Sequence, residues 1–355
     1  MKKIVILTSA TIIILARLTN LSAEETKDKS NHKITGSIDL SYRTNSNIGA
    51  APSSNSGFDF SNFDDEEDAE EDSDEVDVDF DEDALEELDS TDEDLDGVDD
   101  LLDANADSTV DSENRFSTKL GIKYKYTFNK DDSWSSALKA VDDIHDRRED
   151  LDKINWAITT GPEIKLGNYD LKIKPSISYL MLQKDNGGDF LDTWVGSLVF
   201  EYEASKYLTL TAAYNYQDKD IILPSSPDAT VDTLKFGAEY KITKNDVVKM
   251  SLSPKFEDST KVTRNKDSYG SEFTYSRKLP SEMRVDFGIK YNNTDYKNLS
   301  PNREDSTFTY GVYLSKEFRK SFSVTLGLET KDRNSNIVGK DAKNNSLIFS
   351  TGWKF

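Results

Sequence analysis

The run Asp92-Glu93-Asp94-Leu95-Asp96-Gly97-Val98-Asp99-Asp100-Leu101-Leu102-Asp103 has the spacing of a calcium loop. Side-chain oxygens at Asp92, Asp94, Asp96, Asp100 and Asp103, the Val98 carbonyl, and Gly97 for the sharp turn are what a hard cation needs. The competing reading is diffuse condensation of divalent cations on a polyanion, because the whole neighbourhood is rich in Asp. No other cofactor is expected. Histidine chemistry is confined to His32 and His145. His145 lies within Asp142-Asp143-Ile144-His145-Asp146-Arg147-Arg148, beside carboxylates that could orient it as a base toward water. A solvated loop histidine is the simpler reading. No Ser-His arrangement, paired histidine ligands or glycine-rich phosphate loop occurs, so no enzymatic activity is expected. The absence of cysteine excludes a disulfide framework and a lipidated N-terminal cysteine.

The elements that would carry such groups follow from how charge is distributed. The net charge of -23 is not spread evenly. Residues 45–115 hold 29 Asp and Glu against the single basic residue Arg115, whereas residues 116–355 hold 36 Lys and Arg and 34 Asp and Glu. A segment this acidic cannot bury enough apolar surface to offset its self-repulsion and chain entropy, so 45–115 is expected to be a disordered insertion. Nucleic acid is excluded as a partner, since the exposed excess charge is negative. Over its twelve residues the candidate calcium loop resembles those of dockerins and thrombospondin-type repeats. At the N-terminus, Lys2 and Lys3 precede an apolar stretch from Ile4 to Ala16, and Ser22-Ala23 offers a small-residue cleavage site. Residues 1–23 therefore read as a cleaved export signal.

The insertion separates two runs that alternate with period two. Residues 24–44 contain the first, with Ile34, Ile38, Leu40 and Tyr42 apolar. Phe116 to Phe128 follows, with aromatic and aliphatic residues on one face and Lys119, Lys123 and Lys125 on the other. Alternation then recurs through 116–355, predicting strands near 33–43, 116–128, 134–142, 152–166, 169–183, 191–203, 207–218, 231–243, 247–258, 268–279, 282–294, 305–318, 322–333 and 346–355. That makes fourteen strands, or twelve if the poorly alternating 134–142 run and a neighbour fail. Short and long connections alternate between them. One face carries sets such as Trp194, Leu198, Phe200 and Tyr202, or Phe322, Val324, Leu326 and Leu328. The other is polar, and its candidate pore-lining positions are Lys119, Lys123, Lys125, Lys172, Lys174, Lys235, Glu239, Lys241, Arg284, Asp286 and Lys290.

Two closures would satisfy such strands. A soluble β-sandwich would need a second sheet against its apolar face and would favour Val and Ile over this Tyr-rich set. A transmembrane antiparallel barrel uses lipid instead and leaves no unpaired edge. The final run, Leu347 to Phe355 with Trp353 and the terminal Phe355, resembles the last strand of bacterial outer-membrane β-barrels, the signal read by their assembly machinery. The chain after residue 23 resembles outer-membrane porins in its architecture. The resemblance implies an all-β, up-and-down barrel in the outer membrane, partnered by lipid and the assembly machinery and passing small hydrophilic solutes and ions. It also implies that 45–115 is the first extracellular loop. The alternative is a surface adhesin or calcium-binding protein whose barrel is only an anchor. A homo-oligomer is compatible with either.

Overall fold

A computed structural model describes residues 31–48, 113–129, 131–146, 152–167, 170–184, 189–221, 228–299, 302–318, 321–337 and 340–355. Fourteen strands form one closed antiparallel barrel. They are β1 (His32–Ile48), β2 (Glu113–Thr127), β3 (Ser133–His145), β4 (Lys153–Lys165), β5 (Leu171–Lys184), β6 (Asp189–Ser205), β7 (Leu208–Ile221), β8 (Ala229–Thr243), β9 (Asp246–Ser259), β10 (Lys266–Leu279), β11 (Met283–Tyr296), β12 (Arg303–Phe318), β13 (Phe322–Ser335) and β14 (Ala342–Lys354). Each strand pairs with its neighbours in sequence, and β14 closes on β1 from Ser37↔Lys354 to Ile48↔Lys343. The twelve-strand alternative is thereby excluded. The 134–142 run is β3, pairing with β2 and β4 along its length despite weak alternation. The calcium-loop residues Asp92 to Asp103 and the 1–23 signal lie outside the described residues.

The outer face of the barrel is apolar. Ile34, Trp156, Ile177, Trp194, Phe236, Leu252, Tyr291, Leu328 and Phe349 are all large and exposed. Aromatics mark two levels. Trp194 and Tyr202 on β6, like Tyr310 and Phe318 on β12, stand about 26 Å apart along the strand at ~3.3 Å per residue. With strand tilt, that spacing suits the apolar band of a transmembrane barrel, about 25 Å tall and flanked by aromatic girdles.

Several strands run further toward the long connections than alternation predicts. β7 continues to Ile221, β12 begins at Arg303 and β14 begins at Ala342. Beyond the aromatic level nothing demands apolar outward residues, so the pattern ends while backbone pairing goes on. The same effect places Asn45–Ile48 in β1 and Glu113–Arg115 in β2, inside the interval expected to be loop. Side chains then trim the ends: the Ser335 amide donates to Asp341 at 2.8 Å, and the Glu304 amide to Asn336 at 2.9 Å.

Candidate functional site: the inner face of the barrel

Period-two geometry sends alternate residues inward, and the cross-strand register keeps them in step around the ring. Lys119, Lys123 and Lys125 on β2 share a face with Ser117, which is buried, while Tyr124 on the opposite face is exposed. By the same parity Lys172, Lys174, Lys235, Glu239, Lys241, Arg284, Asp286 and Lys290 all point inward. So do Lys165, Lys249, Glu163, Glu201, Glu272 and Glu329. Lys and Arg outnumber Asp and Glu on the described inner face by roughly two to one.

The inner face falls into two halves. Toward the short turns many groups still touch water. Lys172 bridges Glu201 and Glu203 at 3.3 and 3.5 Å, and Lys174 bonds Glu201 at 2.9 Å. Glu239 pairs with Lys249 at 3.2 Å, with side chains 30% and 36% exposed. Buried exceptions there include Ser133, Glu163, Val199, Thr274, Ser276, Tyr313 and Asp286, the last held by Arg284 at 3.0 Å.

Toward the long connections much of the wall is withdrawn from water, most completely on β6 to β8. Gln217 is 1% exposed and Val231 0%, and Ser117, Thr193, Val195, Lys219, Asp305 and Thr309 are at most 4% exposed. Charged groups there are paired. Glu257 lies 3.6 Å from Lys219 and 3.9 Å from Lys266, and Arg303 reaches Asp305 at 2.6 Å while its guanidinium covers the Tyr296 ring at 4.4 Å. Arg115 faces Asp143 at 3.8 Å, and Asp143 accepts from Ser117. Width alone, from which a fourteen-strand lumen is expected to stay open, does not keep this half accessible. Outside the membrane-facing strands, Lys297 donates to Asp267, and that hydrogen bond raises its pKa above the ordinary ammonium value.

His145 is not a solvated loop histidine. It ends β3 with its side chain 11% exposed, Nδ1 3.4 Å from Asp152 Oδ1, and its backbone amide donates to the same oxygen at 2.7 Å. The strand outlasts the alternation and carries it inward. His32 opens β1 instead of preceding it, and bonds the Tyr124 hydroxyl at 2.7 Å.

One arrangement was missed from sequence. Arg43 on β1 donates to Glu329 on β13 at 3.0 Å, passing across β14, and Tyr313 on β12 donates to the other oxygen of Glu329 at 2.6 Å. Tyr313 is an inward aromatic, 3% exposed, and it fits because two glycines make room. A Cβ on Gly311 would fall 2.7 Å from its ring, and one on Gly327 2.5 Å. The signal was an aromatic at an odd position among the outward even ones, Tyr310, Val312 and Leu314, with Gly311 two residues before it.

At the seam, Gly36 and Phe355 exchange backbone hydrogen bonds of 2.8 and 2.9 Å, so pairing continues one residue past β14. Trp353 faces outward opposite Ile38 and meets the Phe322 ring edge-on at 6.4 Å.

No family model matches the chain, and no curated protein matches it. Solved structures do. Outer-membrane expressed OmpT of Vibrio cholerae aligns with TM-score 0.50 and 8% identity over 93% of this chain and 100% of that one. An anion-selective porin from Comamonas acidovorans aligns with TM-score 0.45 and 8% identity over 91% and 99%. The TodX monoaromatic hydrocarbon channel, as a deltaS2 mutant, gives 0.45 and 10% over 92% and 91%. At such identities the likeness concerns the fold, which is that of outer-membrane β-barrel proteins.

Proposed function

We propose that the protein is an outer-membrane channel through which small hydrophilic solutes and ions diffuse, with a weak preference for anions. The observation that carries this is the inner wall, roughly two-to-one basic, with its water-accessible Lys and Glu gathered toward the short turns. Lys119, Lys123, Lys125, Lys172, Lys174, Lys235, Glu239, Lys241, Arg284, Asp286 and Lys290 are the proposed pore lining. On this reading residues 1–23 export the chain, the short turns face the periplasm, and residues 49–112 connect β1 and β2 on the cell surface. The role is not enzymatic.

A specific observation favours a second reading. Much of the inner wall toward the long connections, above all on β6 to β8, is withdrawn from water, as suits a barrel that only anchors a surface segment. The segment would then do the work, its carboxylates holding divalent cations, with Asp92, Asp94, Asp96, Val98, Asp100 and Asp103 as the ordered calcium site. Planar-bilayer recording of the purified protein separates the two. Stepwise, ohmic conductance is expected for a channel; electrical silence at high protein concentration overturns it and leaves the anchor.

A further inference from the structure

We propose that Gly36 is the seat of the C-terminal aromatic ring, and that position 36 is reserved for glycine because a side chain there would hold open the seam that closes the barrel. Gly36 occupies an outward position on β1 between Ile34 and Ile38, where lipid would accept any apolar residue. Glycine in a strand weakens it and offers nothing to pack, so its presence at an outward site needs a reason. The ring of Phe355 supplies one. A Cβ built on Gly36 lies 2.5 Å from both Cε2 and Cζ of Phe355, and 3.2 Å from Cδ2. The two residues also face each other through their reciprocal backbone hydrogen bonds, the last rung of the β1–β14 ladder. A side chain at position 36 must therefore turn the ring away beside the rung that completes the ring of strands.

Gly196 is the internal comparison. It too is outward, opposite Tyr216 on β7, and a Cβ there meets nothing within 4 Å. The two glycines should respond to the same substitution with opposite sign. β-Branched residues are favoured over glycine in strands by up to about 1 kcal/mol where nothing obstructs them. The seat has a consequence for assembly as well. If the terminal ring is what the assembly machinery reads in the unfolded chain, then seating on Gly36 covers one face of it once the seam has closed.

The test is refolding of the full mature chain from urea into short-chain lipid vesicles, where no assembly machinery is present. Closed barrel is scored as the heat-modifiable band on a cold gel. Gly36→Val is expected to lower the closed fraction several-fold and Gly36→Ala less, since the ring can swing partly aside. Gly196→Val should match or exceed wild type. Phe355→Ala removes the ring, so Gly36→Val added to it should cost nothing further. Wild-type folding of Gly36→Val overturns the proposal. So does a double variant whose loss is the product of the two single losses, and so does a Gly36→Val that stays unfolded in the Phe355→Ala background.

Discussion

Replacing Arg43 by Met removes one end of a brace that spans four strands. Glu329 is 5% exposed, and its two oxygens are taken by the Arg43 guanidinium at 3.0 Å and the Tyr313 hydroxyl at 2.6 Å. Without Arg43 the carboxylate keeps one neutral donor and stays out of water. Breaking a buried pair in this way costs about 3–5 kcal/mol, mostly for the charge left behind. The partial exposure of Arg43, 9%, argues for the lower end, about 3 kcal/mol. Tyr313→Phe should cost less, about 1–2 kcal/mol, because Arg43 still holds the charge. Replacing both ions, Arg43→Met with Glu329→Leu, should return most of the stability, to within about 1 kcal/mol of wild type. Equilibrium unfolding in urea from lipid vesicles, followed by tryptophan fluorescence, measures all three as midpoint shifts at constant slope. An Arg43→Met protein within about 0.5 kcal/mol of wild type would refute the brace, a change of the size ordinary surface substitutions give. So would a double variant less stable than Arg43→Met alone.

Reversal potentials in a salt gradient should show weak anion preference, lost or inverted by Lys172→Glu with Lys174→Glu; strong cation selectivity in wild type would mean that other charges govern the pore. Deleting residues 49–112 should leave a heat-modifiable barrel and strengthen the anion preference in dilute salt, because the acidic segment's field reaches only about a Debye length, roughly 8 Å at physiological ionic strength. Failure of that deletion to insert would show that the segment is needed for folding. Phe355→Ser should lower outer-membrane levels in cells while signal cleavage proceeds normally, which quantitative blotting of fractions would detect. Gln217→Ala should raise single-channel conductance without shifting the reversal potential, if the dry half of the wall limits flow; unchanged conductance would place the limit elsewhere.

Much of the fold was legible because lipid and barrel interior impose opposite demands on alternate residues. Lys172, Lys174, Arg284 and Lys290 declared themselves by standing between outward Leu, Ile, Phe and Tyr. The strand ends were not legible, since beyond the aromatic level both faces of a strand are polar and the pattern vanishes while pairing persists. His145 was misread for that reason. Parity also says nothing about height along the barrel. Lys219, just past the predicted 207–218 strand, has the inward parity of Lys235, yet Lys219 is 3% exposed at the dry end while Lys235 lies lower and retains contact with water. The Arg43–Glu329–Tyr313 brace was out of reach for another reason. Its ends are 286 residues apart in sequence and meet only because β14 closes on β1.

If the protein is a channel, the two halves of its inner wall should separate two properties that a uniform pore would couple. Ion preference depends on charges that a permeating ion can approach with its water, which are the Lys172, Lys174, Glu201, Lys249 and Glu239 groups toward the short turns. Flow would depend on the narrowest stretch, and the burial of Gln217, Val231 and Thr193 makes the other half the candidate for it. Pairing does not distinguish the halves, because Lys172 and Lys174 meet Glu201 and Lys249 meets Glu239 toward the short turns, while Lys219 and Lys266 share Glu257 and Arg303 is held by Asp305 in the other half. What distinguishes them is water: Glu239 and Lys249 are about a third exposed, whereas Lys219 is 3% exposed. Substitutions in one half should therefore move selectivity and substitutions in the other conductance. Under the anchor reading neither would register, because no current would flow to be selective.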